Sequence, residues 1–102
     1  AAPAQNAGRR ASDLRSRVRA AFAADLPMRR AELEAAIARA DADNAGRVLH
    51  GLRGSAGYLG ASALHALAGE LELLADAGDW DGLNLALPRL AVLLAEYQTA
   101  HA

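Results

Sequence analysis

Leucines recur through the second half of this chain at the pitch of an α-helix. Leu64, Leu67, Leu71 and Leu74 form one series; Leu83, Leu87, Leu90, Leu94 and Tyr97 form another. Steps of three and four residues put each series on one face of a helix, because a helix turns about 100° per residue. Gly78 stands between the two series, where a helix end is expected. Each apolar face must be buried against another, so these spacings alone require helices packed on helices. Alanine and leucine dominate while β-branched and aromatic residues are scarce, which also favours helix over sheet.

The rest of the chain fits the same scheme. Residues 1–8, AAPAQNAG, lack periodicity and read as a linker or frayed terminus, leaving 9–102 as one domain. A first helix is expected over about 12–24, capped by Ser12, with Leu14, Val18 and Phe22 as its stripe. Asp25 would cap a second, with Pro27 in its first turn and Leu33, Ile37 and Ala40 buried, ending near Asp41. Asp43 would cap a third helix that stops at Gly60, and a fourth begins near Ser62. Asp79 would cap the last, with Trp80 packed at one end of the bundle and a kink at Pro88. The expected fold is all-α: an antiparallel up-down four-helix bundle with an additional N-terminal helix.

One run departs from ordinary helix composition. Residues 50–60 read HGLRGSAGYLG. On a helix, Gly46, Arg47, Arg53, Gly54 and Gly57 fall within about 60° of His50, and the opposite face carries Val48, Leu52, Ser55, Ala56 and Leu59. The imidazole therefore points away from the core. A glycine inside a helix costs roughly 1 kcal/mol relative to alanine, so several beside one exposed histidine suggest that something large approaches that ring. A count from the turn gives it a neighbour. The turn centres near residues 60–62, so residues 71–73 of an antiparallel helix lie level with His50, and Glu72 is the polar one that is not core. A carboxylate accepting a proton from Nδ1 would fix the tautomer and leave Nε2 as a nucleophile. The flank on which Glu72 lies is left to the packing.

This run resembles the signature of histidine-containing phosphotransfer (HPt) domains. That signature is a His, any residue, an aliphatic residue, Lys or Arg, Gly, two small residues and a Gly closing the helix. Here these are His50, Leu52, Arg53, Gly54, Ser55, Ala56 and Gly60, and Glu72 matches the acidic or amide position on the next helix. Arg53 stands where Lys is commonest, in a chain with no lysine at all. The resemblance extends over roughly residues 9–100. It implies a bacterial phosphorelay domain, the C-terminal HPt domain of a hybrid sensor kinase, carrying phosphate on His50 without kinase activity of its own. Arg53, and with it Arg47, would pair with phosphoryl oxygens. Gly46, Gly54 and Gly57 would let a partner's surface settle close, since displacement is costly to near-attack geometry. The expected partners are response-regulator receiver domains, the isolated domain being monomeric. No cofactor is expected, with Mg2+ only in the partner receiver, and the location would be cytoplasmic.

Other functions are disfavoured. Without cysteine, disulfides and thiolate metal sites are excluded, and His50, His65 and His101 lack metal-ligand spacing. No uncharged apolar stretch approaches the ~20 residues of a membrane span. The first third carries Arg9, Arg10, Arg15, Arg17, Arg19, Arg29 and Arg30 against a net charge of −1. The single aromatic residue among them, Phe22, belongs to the apolar stripe, so they read as a solvated basic face rather than a nucleic-acid site. Two alternatives remain: a chemotaxis-type kinase's phosphate-accepting domain, fed by ATP, and a helical interaction module without phosphotransfer.

Overall fold

The computed structural model describes residues 3–101, with side chains from Gly8 onward. It contains four helices: α1 (Pro3–Ala38), α2 (Ala42–Tyr58), α3 (Ser62–Asp76) and α4 (Trp80–His101). Successive helices run antiparallel and pack in a ring. α1 neighbours α2 and α4, α3 neighbours the same two, and the diagonal pairs lie farther apart. Leu26, Leu33, Leu49, Leu52, Leu67, Leu71, Leu83 and Leu90 are the largest fully buried side chains, and Trp80 packs against their cluster.

The expected break at Asp25 does not occur. α1 runs through Asp25 and Pro27 without interruption. Phe22, Leu26, Leu33 and Ile37 are all buried on one side of it, so both halves dock on the same core in phase. Burying side chains of this kind contributes about 1.5–3 kcal/mol each, which together outweighs the roughly 3 kcal/mol that an internal proline costs. There is consequently no separate N-terminal helix covering the bundle. Instead α1, about 54 Å long at 1.5 Å per residue, overhangs its neighbours and accounts for the 57 × 21 × 18 Å extents. From Gly8 to Val18 every residue is exposed, including Leu14 at 61%. Only Phe22 of the Leu14–Val18–Phe22 stripe is buried, with its ring 5.4 Å from that of Tyr97 on α4. Residues 3–8, expected as linker, belong to α1; residues 1 and 2 lie outside the described residues.

Three turns join the helices, and all use the same stop. The backbone N–H groups of Asp41, Ala61 and Asp79 donate to the carbonyls of Ala36, Ala56 and Leu74, closing Schellman motifs. The residue before each donor takes a left-handed conformation: Ala40 at φ 52°, Gly60 at 75° and Gly78 at 68°. Ala40 is therefore a turn residue rather than part of the buried stripe. The start of α2 is also shifted, because Asp41, not Asp43, caps it by accepting from the Asn44 N–H at 3.1 Å. Asp79 caps α4 as expected, accepting from the Gly82 N–H at 2.9 Å. Pro88 lies inside an unbroken α4 and is exposed.

Candidate functional site

The α2–α3 seam has a single register. Residues equidistant from Ala61 face one another: Gly57 and His65, Arg53 and Gly69, His50 and Glu72, Gly46 and Asp76. At three of these levels a glycine lies against a longer polar side chain from the other helix. Only the His50–Glu72 level pairs two long side chains, and there they bond. His50 Nδ1 lies 3.0 Å from Glu72 Oε1.

His50 stands on the solvent side of α2, with its side chain 67% exposed, while Val48, Leu49 and Leu52 anchor the helix from the opposite face. Glu72 is half-buried, with 18% of its side chain exposed, which places a carboxylate under the imidazole rather than beside it. Arg53 completes the group. Its Nε lies 3.3 Å from Glu72 Oε2, an ion pair by distance but without hydrogen-bond alignment, and that oxygen is otherwise unpartnered. Its Nη2 lies 3.3 Å from His50 Nδ1. Arginine has donors only, and a carboxylate only accepts. Nδ1 cannot donate to Glu72 and accept from Arg53 at once. The carboxylate is the closer partner, so Nδ1 carries the proton, the arginine contact is not a hydrogen bond, and the Nε2 lone pair faces outward.

Arg53 passes close over Gly69: a Cβ there would lie 3.4 Å from Arg53 Cδ. The guanidinium is thus folded back across α3 onto Glu72, not extended into solvent. Arg47 is exposed and leans the other way, its Nη2 3.4 Å from Asn44 Oδ1. Gly54 is open, with nothing within 4 Å of a Cβ built on it. The other two glycines are not bare. Gly46 faces Asp76 Oδ1 at 3.9 Å, and a Cβ on Gly57 would meet His65 Nδ1 at 2.9 Å. Gly57 is exposed, as helical spacing predicts, with the His65 ring resting against one side of it.

His65 is a residue that sequence alone presents as ordinary surface. Its Nδ1 bonds the Arg53 carbonyl at 2.8 Å. The count that pairs His50 with Glu72 also pairs Gly57 with His65, so the signal was present in the spacing. His101, expected in a tail, lies in the last turn of α4 with its ring 4.2 Å from that of Tyr97. Burial raises the Tyr97 phenol above its ordinary pKa, partly countered by the charge of Arg19.

Four antiparallel helices thus carry an exposed imidazole, His50, steadied from below by a carboxylate on the next helix. The Hpt domain family matches residues 17–101. The chain belongs to that family, whose members carry out histidine-containing phosphotransfer in two-component signalling and work with receiver domains. No curated protein and no solved structure gives a significant match to the chain. No helix among the described residues is long and apolar enough to cross a membrane.

Proposed function

We propose that His50 is the phosphoacceptor of a phosphorelay, taking its phosphoryl group from the aspartyl phosphate of one receiver domain and passing it to an aspartate of another. The observation that carries this is the exposed His50 ring with Nδ1 held by Glu72 at 3.0 Å. The Nε2 lone pair attacks phosphorus, the bond from phosphorus to the aspartyl oxygen breaks, and the carboxylate leaves with the electron pair. No proton needs to move, because Nδ1 keeps its own. The ring then carries positive charge, which the Glu72 carboxylate offsets, and Arg53 beside it favours the negative phosphoryl oxygens. The return step reverses these changes on a second receiver's carboxylate.

In this reading the domain is a carrier without kinase activity, magnesium belongs to the receivers, and transfer takes place in the cytoplasm. Family architecture supports a hybrid sensor kinase as the bacterial parent. Arg47 and Gly54 form the open rim that a receiver meets. The test is incubation with a receiver loaded by acetyl phosphate, followed by a chase with a second, unloaded receiver. The expected result is an acid-labile, alkali-stable label that appears on the chain, leaves during the chase and is absent from His50→Gln. A label that persists in that variant, on His65 or elsewhere, overturns the assignment.

A further inference from the structure

The His65 ring sits on the line of α2 that carries His50. Gly57 lies only about 20° around the helix from His50 and about 10.5 Å along it. A partner covering about 800 Å² of this surface, the usual area for one side of a specific interface, has a radius of about 16 Å. A receiver centred on His50 therefore spans the position that the His65 ring occupies over Gly57.

The chemistry of that ring is fixed by the bond it makes. A carbonyl oxygen only accepts, so the 2.8 Å contact with the Arg53 carbonyl requires the proton to be on Nδ1. The Nδ1–Cε1 edge rests on Gly57, at 2.9 and 3.1 Å from the place of a Cβ. Nε2 is directed away from that edge and makes no hydrogen bond among the described residues. In the neutral ring it is an acceptor, held rigidly in an exposed position beside the phosphoacceptor.

We infer that His65 is a specificity-determining contact of the receiver-docking surface, its Nε2 accepting a hydrogen bond from a hydroxyl or amide donor on the receiver. This rests on the receiver-to-His50 reading above. The ring is never phosphorylated in this scheme, because a neutral carbonyl behind Nδ1 offers no charge to balance a phosphoryl-bearing imidazolium.

The test separates docking from chemistry with two phosphate donors. One is the best donor found in a panel of receiver domains loaded with acetyl phosphate; the other is phosphoramidate, which needs no docking. His65→Asn keeps a donor within reach of the Arg53 carbonyl but removes Nε2, while His65→Ala removes both. Both variants are expected to raise the half-saturating receiver concentration about three- to tenfold, the loss of one interfacial hydrogen bond. The rate at saturation and the labelling by phosphoramidate stay at wild-type values. If His65→Asn behaves as wild type, or if labelling by phosphoramidate falls in step with labelling by the receiver, His65 is structural and the inference fails alone. If the wild-type chain takes no phosphate from any receiver, the relay reading fails and this inference with it.

Discussion

Two imidazoles stand two helical turns apart on the same seam, each tied through Nδ1 to the neighbouring helix. His50 reaches from α2 to a carboxylate on α3, and His65 reaches from α3 to a backbone carbonyl on α2. Both ties fix the same tautomer and leave Nε2 outward. They differ in charge. Glu72 can balance a ring that has gained a phosphoryl group, whereas the Arg53 carbonyl offers only a dipole already engaged in the helix. The two rings share exposure and tether, and a half-buried counter-charge behind the ring is what separates them; in the proposed relay that difference selects His50.

The strongest way to break this comparison is Glu72→Gln. It keeps an oxygen for Nδ1 and removes the charge, so transfer to His50 should slow about tenfold, the difference between a charge-assisted and a neutral hydrogen bond. An unchanged rate of label uptake would make the two histidines equivalent in this respect. Gly57→Ala acts on the other member. Its Cβ would lie 2.9 Å from His65 Nδ1, so the ring must shift and its bond to the Arg53 carbonyl is perturbed. The expected readout is a shift of the His65 ring signals in NMR, with His50 and Glu72 unmoved.

Gly54→Ala sharpens the contrast between a glycine kept for a side chain and one kept for a partner. Nothing surrounds its Cβ, so relief from an interior glycine should stabilise the domain by about 1 kcal/mol and raise Tm by about 4–8 °C. Transfer from a receiver should nevertheless slow, since the methyl group stands between the two surfaces. A stabilised variant with undiminished transfer would remove Gly54 from the docking face. Ala40→Gly is a smaller effect remote from the seam. Ala40 is the left-handed turn residue without glycine's freedom, and the replacement should gain up to about 1 kcal/mol in thermal unfolding.

The smallest expected effect is a pH dependence at the start of α2. The Asn44 backbone N–H, then its side-chain amide, hold the Asp41 carboxyl below its ordinary value of 3.8. A depressed carboxylate contributes its stability above the ordinary value and loses it as pH falls through the lowered one. The stability difference between wild type and Asp41→Ala should therefore be present at neutral pH and shrink in strong acid. A difference that stays constant from neutral to acid pH would remove the charge from the cap.

Much of the site can be read from spacing. His50, Glu72 and the glycine stops at Gly60 and Gly78 follow from helical period and a count outward from one short turn. The break expected at Asp25 fails because an N-cap aspartate and a proline are local signals, blind to the core that Phe22 and Leu26 share with Leu33. That Asp76 lies beside Gly46 and His65 beside Gly57 escapes a helical wheel, because a wheel gives angles and no neighbours.

The amino-acid sequence by itself determined that the chain forms leucine-lined helices and that His50 projects from one of them level with Glu72, the flank being left to the packing. Helical periodicity is local and needs no knowledge of the partner helix. Only the tertiary structure decided that α1 is continuous, that Arg53 folds back over Gly69 onto Glu72, and that His65 fills the place above Gly57. Those outcomes depend on which side chains meet across packed helices, and that is a property of two packed surfaces rather than of either strip of sequence.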